Sequence, residues 1–134
     1  MKKLTILLAI LTAFVFGAAQ TANAQTEQKA TIKYGKQKKF SASKLTIKFV
    51  LVSEDSRCPQ TVQCIQAGNA RIKVEISNGT TKETFEMNTT TGPKGASFSG
   101  FAIYLDELTP TTRQNVKIKQ KDYKGKFRIV RLSR

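Results

Sequence analysis

The sequence predicts an all-β protein, an antiparallel β-sandwich or small barrel of about seven strands, with one disulfide-pinned loop. Three observations predict it. Alternating apolar and polar residues recur through residues 30–132, turn residues punctuate them at short intervals, and no stretch after residue 24 carries a helical period. Short strands separated by regular turn signals are the pattern of sandwiches and barrels.

Residues 1–24 stand apart from that pattern. Met1, Lys2 and Lys3 form a short positive start, Leu4 to Ala19 is apolar without a charge, and Ala22-Asn23-Ala24 is a small-x-small site before Gln25. Those three parts in that order are a secretory signal peptide. A membrane span needs about 18 or more apolar residues; this run carries Thr5 and Thr12 and ends in small and polar residues. The domains expected are therefore a signal peptide, 1–24, and a single β domain, 25–134. No cysteine follows the apolar run at a lipidation position, so the expected product is soluble, and secreted or periplasmic.

The strands follow in order. Segment 30–34 is short and closed by Gly35, with 36–40 as its continuation. Segment 44–53 alternates, with Leu45, Ile47, Phe49 and Leu51 on one face and Lys44, Thr46 and Lys48 on the other. Period two of this kind means a half-buried strand. Segment 70–77 repeats the design: Ile72, Val74 and Ile76 inward, Arg71, Lys73 and Glu75 outward. Asn78-Gly79 follows at once and predicts a two-residue hairpin, because both residue types tolerate positive φ. The partner strand is then 80–88. Segment 89–95 reads as a loop and 98–105 as one strand, broken at Thr109-Pro110. Segment 114–121 alternates again, 122–125 turns the chain, and 126–132 is the last strand.

Composition bounds the function. Without the first 24 residues, which hold Lys2 and Lys3, the chain keeps 21 basic side chains against nine acidic ones, a formal charge of +12. Such a balance favours anionic partners: an anionic glycan, an acidic lipid surface or an envelope protein. Export argues against nucleic acid as the partner. The chain has no histidine, so nothing of that kind activates its many serines and threonines, and it shows no Gly-x-Ser-x-Gly elbow or Gly-rich phosphate loop. An enzyme is not expected, nor is a cofactor.

Cys58 and Cys64 are the only cysteines. In an exported chain an even pair reads first as a disulfide. A metal site is the weaker alternative, since two thiolates without histidine do not complete a zinc shell. The bridge falls inside the long connection 54–69 and pins it. Long connections without secondary structure are often functional, and this one equally reads as a loop whose disorder the bridge offsets.

The residues of this connection carry a resemblance. Glu54-Asp55-Ser56-Arg57-Cys58-Pro59, then Val62-Gln63-Cys64, then Ala67-Gly68-Asn69-Ala70 resembles a family of small uncharacterised exported bacterial β-proteins with an Asp-Ser-Arg-Cys-Pro…Cys…Ala-Gly signature. About 20 residues match in detail. The resemblance implies export and a strand on either side of the loop, and no activity. Two departures stand out. Gln66 occupies a position where an aromatic is usual, and the lipidation cysteine common in relatives is absent, which argues for a free rather than an anchored protein.

Within the loop, Asp55 is placed to accept backbone N–H groups and to pair with Arg57. The alternative is a hard cation such as Ca²⁺ on Glu54, Asp55 and Ser56, although calcium wants six to eight oxygens. Asp106 and Glu107 form a second acidic pair. Lys117, Lys119 and Lys121 alternate on one predicted strand, and Lys126, Arg128, Arg131 and Arg134 follow across the next turn. Paired, those strands make a candidate anion-binding face; the plainer reading is edge protection by lysine. The function these features predict is an exported binding or accessory module of unknown ligand. Its alternatives are a secreted protease inhibitor using loop 58–64 and a cation-stabilised structural domain.

Overall fold

The computed structural model describes residues 26–133; the predicted signal peptide lies outside the described residues. Eight strands form: β1 (Gln28–Lys33), β2 (Gln37–Phe40), β3 (Leu45–Asp55), β4 (Ala70–Ser77), β5 (Lys82–Asn88), β6 (Gly95–Phe98), β7 (Phe101–Thr109) and β8 (Lys124–Arg131). They make two four-stranded antiparallel sheets, ordered β1-β8-β7-β6 and β2-β3-β4-β5. The chain changes sheet at Gly35, whose φ of +70° suits glycine. Lys36 therefore leads into a new strand in the other sheet and does not extend the first. Among the described residues no helix is long and apolar enough to cross a membrane.

Alternation buries one face of each sheet. Leu45, Ile47 and Phe49 of β3, Ile72, Val74 and Ile76 of β4, and Phe127 and Ile129 of β8 are all buried. Phe49 meets Phe127 edge-on between the sheets, ring centres 6.2 Å apart. Each large apolar side chain taken out of water contributes about 1.5–3 kcal/mol, which is what holds the two sheets face to face.

Two bulges break the simple alternation of β3. Its register against β4 shifts between Phe49 and Leu51, and again between Val52 and Glu54. Each extra residue inverts the face presented by the remainder of the strand. Val52, not Leu51, is consequently buried opposite Ile72, and Asp55 arrives opposite the buried Ala70. The two inversions cancel, so Asp55 keeps the inward parity of Leu45, Ile47 and Phe49, and a carboxylate faces the core side at the end of the sandwich.

Three turns differ from expectation. Asn78-Gly79 is not a two-residue hairpin. Ser77 pairs with Lys82, and the Asn78 side chain accepts N–H bonds from Thr80 and Thr81 at 2.9 and 2.8 Å, so a four-residue Asx-type turn results. The two-residue hairpin lies at Ser99-Gly100, with φ of 51° and 81° and Phe98 paired with Phe101, the positive φ values of a primed turn. The predicted strand 98–105 is therefore split after Phe98, which joins Gly95 of the predicted loop and the unassigned residues 96–97 in β6. Finally, segment 114–121 forms no strand: it holds one isolated bridge, Arg113 to Val116, and a 3-10 turn at Gln120–Asp122. Val116 is exposed there, so its alternation served no sheet.

Candidate functional site

The end of the sandwich is built from two connections, 56–69 and 110–123. Cys58 and Cys64 are bridged, Cα to Cα 5.9 Å; such bonds persist in oxidising compartments. The bridge is one tie among several. Ser56 N–H donates to the Asn69 carbonyl at 2.7 Å and Cys58 N–H to Ala67 at 2.9 Å, so the loop returns along itself as a narrow ribbon. Gly68, with φ +69°, lies in its fold, where a Cβ would overlap the Ser56 carbonyl oxygen. Pro59 accepts Val62 N–H at 3.1 Å, and Gln60 N–H donates to Thr112. Segment 58–64 is hence curled, not extended as a substrate-like strand would be. Ile65, just beyond the bridge, is fully exposed.

Asp55 is the node that joins these connections to the sheets. Its carboxylate accepts Arg57 Nε and Nη2, both at 2.8 Å, Arg57 N–H at 3.3 Å and the Tyr123 hydroxyl at 2.8 Å. Arg57 also donates from Nη1 to the Leu108 carbonyl at 2.6 Å and from Nη2 to the Pro110 carbonyl at 2.9 Å. The expected Asp55–Arg57 pair is therefore present; its third member, Tyr123, and its two carbonyl partners carried no mark in the sequence. Gln120 adds a second tie. Beyond Phe49, which exchanges backbone bonds with Gly35 and Lys36, that edge of β3 is met by the Gln120 side chain, which accepts Val52 N–H at 3.1 Å and donates to the Val52 carbonyl at 2.7 Å. Between β3 and residues 112–123 an open groove of about 270 Å³ remains, lined by Val52, Glu54, Asp55, Val116 and Lys117 among others.

This arrangement disfavours the calcium alternative. Both Asp55 oxygens are occupied by donors, one of them cationic, and Glu54 lies 3.9 Å from Arg71. Among the described residues no three His, Cys, Asp or Glu side chains gather as a metal cluster.

Burial raises the Asp55 carboxyl pKa, but the bonds from Arg57 and Tyr123 outweigh it and hold the group below its usual value. Burial, then the bond to Asp55, pushes the Tyr123 phenol up to about 12. An unfolded Tyr titrates near 10. The neutral phenol is thus favoured by folding, and its contribution is present below pH ~10 and lost as pH rises from about 10 to 12. Tyr123→Phe removes the titrating group. The stability difference between wild type and this variant should shrink over that alkaline range, as read by urea unfolding; a constant difference would contradict the bond.

The basic residues sort by sheet face. On the outer face of the β3 sheet, two lysines have acidic neighbours: Lys82 lies 3.3 Å from Glu75, and Lys73 3.9 Å from Glu86. The outer face of the β1 sheet differs. Lys33 stands opposite Lys124 on the neighbouring strand, and Lys126 opposite Thr31 and Glu107. None of these three lysines forms an ion pair with a described residue. Arg128, opposite Lys29 and Tyr104, is paired with Asp106 at 3.1 Å. The predicted face is thereby corrected: Lys126 and Arg128 share a sheet face as expected, whereas Lys117, Lys119 and Lys121 lie on the irregular connection and its 3-10 turn, with no alternating row. Their place on the face is taken by Lys33 and Lys124. Comparisons with family models, with curated proteins and with solved structures find no match to this chain.

Proposed function

We propose that this chain is an exported binding module that docks on an anionic polymer through the outer face of its β1 sheet. The observation that carries the reading is Lys33 opposite Lys124, with Lys126 two residues further along β8 and no acidic partner bonded to any of them. Like charges directly across a sheet are destabilising, and an anionic ligand removes that cost. The contrast with Lys73 and Lys82 of the other sheet supports it, since those two sit beside Glu86 and Glu75. The disulfide fits the export implied by residues 1–24. An anionic glycan is the polymer that an exported protein of this charge meets; nucleic acid is not.

Retention on immobilised heparin across a salt gradient tests this. Lys33→Ala/Lys124→Ala should lower affinity about tenfold at low salt, at roughly 0.5–1 kcal/mol per exposed cation. The charge-matched Lys73→Ala/Lys82→Ala should change it far less. Equal losses would mean that net charge alone is read, and the face would then have no special role.

A further inference from the structure

We propose that Arg128 and Tyr104, with the hollow beside them, seat a carboxylate-bearing sugar of an acidic glycan. The inference rests on the reading above and adds the ligand's chemistry to it. Three observations converge on this spot of the β1 sheet's outer face.

The first is the state of the Arg128 guanidinium. Its Nε donates to both Asp106 oxygens, at 3.1 and 3.2 Å. Its Cζ lies over the Tyr104 ring, 4.7 Å from the ring centre. Asp106 is the extra residue of a bulge, between Leu105 and Glu107, where the β7–β8 register shifts, and bulges re-aim side chains in this way. The arginine is held at its inner nitrogen and across its face, while Nη1 and Nη2 bond to no described residue. An immobilised planar fork with open terminal donors is suited to a carboxylate, because little side-chain freedom remains to be lost on binding.

The second is the hollow. About 310 Å³ lies open beside Tyr104, lined by Lys94, Gly95, Ala96, Ser97 and Ala102. It exists because the outward positions across β6 and β7 carry almost no side chain: Gly95 faces Tyr104 and Ser97 faces Ala102. A Cβ on Gly95 would come within 2.7 Å of Tyr104 Cδ1 and run into the Ile103 carbonyl oxygen. An aromatic wall, a small-residue floor, one hydroxyl and an ammonium are what a sugar ring needs: apolar surface for its C–H groups and a few polar groups for orientation.

The third is what lies along the strand. Lys126 and Lys124 follow Arg128 on the same face at intervals of about 7 Å, so further anionic units of a polymer would find a cation. A single-stranded nucleic acid fits less well. Its tracks stack successive bases on several aromatics, and Tyr104 is the exposed aromatic among the described residues.

Titration with a galacturonate oligosaccharide, a neutral galactose oligosaccharide of equal length, heparin and an oligo-dT tests the seat. The intact protein should bind the acidic sugar and not the neutral one. Arg128→Lys keeps the charge and loses the fork; Tyr104→Leu keeps an apolar side chain and loses the ring. Each should weaken galacturonate binding at least tenfold, and by more than it weakens heparin retention. Galacturonate affinity unchanged in both variants would overturn the seat while leaving the heparin result for Lys33 and Lys124 standing. Tighter binding of oligo-dT than of galacturonate, lost in Tyr104→Leu, would overturn it in favour of nucleic acid. An intact protein that binds neither heparin nor galacturonate would remove both proposals. Melting temperatures near wild type in the two variants confirm that binding, not folding, is read.

Discussion

Arg57→Ala is expected to destabilise the protein by roughly 3–5 kcal/mol, the range found when one member of a buried ion pair is removed. The Arg57 and Asp55 side chains are only 14% and 10% exposed, so this is not a surface pair of small worth. Without the guanidinium, Asp55 retains a backbone N–H and the Tyr123 hydroxyl, while the Leu108 and Pro110 carbonyls lose their donors. Arg57→Lys should recover little, since one ammonium does not replace a fork bonded to a carboxylate and two carbonyls. Acid should act in the same direction. The Asp55 pKa lies below its unfolded value of about 3.9, so its contribution is present above that pH and is lost as pH falls further. Urea unfolding at neutral pH measures the first effect; a cost below about 1 kcal/mol would mean that the network does not hold the loops to β7.

Gly68→Ala should be about as severe, roughly 2–5 kcal/mol. A left-handed backbone costs a non-glycine residue about 1–2 kcal/mol, and overpacking about 1–3 kcal/mol more. The overlap is with backbone, the Ser56 carbonyl, so no side chain can move aside to relieve it. Gly79→Ala is the control: it too has positive φ, at +90°, but nothing lies within 4 Å of the added Cβ. It should cost only the backbone share. Equal losses at the two positions would show that conformation alone, not the closeness of the loop's two arms, makes Gly68 necessary.

These sites differ in how far the sequence reveals them. Period-two patterns identified β3, β4 and β8 because each buries one face, and burial writes itself into every second residue. The bulges of β3 left no such trace. Val50-Leu51-Val52 is apolar throughout, so nothing marks where the face inverts; the second bulge restores the parity, and Asp55 lies inward as plain alternation from Leu45 already places it. Segment 114–121 failed for the opposite reason: Val116 and Ile118 alternate with lysines, but among the described residues the segment bonds to β3 only through the Gln120 side chain, and period two without backbone pairing makes no sheet. At Ser99-Gly100 the signal was present, a Ser-Gly dipeptide between alternating runs, while the stronger Asn78-Gly79 pair used its side chain to make a different turn. Asp55 and Arg57 are two residues apart and their pairing was readable. Tyr123 lies 68 residues from Asp55, a separation that only the fold closes. The facing of Lys33 and Lys124, at opposite ends of the domain's sequence, was hidden for the same reason.

Mapping amide chemical-shift changes as a heparin-derived oligosaccharide is added to the folded domain decides whether the outer face of the β1 sheet is the docking surface. Shifts should concentrate on the outward residues of β1, β7 and β8, centred on Lys33, Lys124 and Lys126, and fade as salt is raised. Shifts centred on β3, β4 and β5, or spread evenly over both sheets, would contradict it.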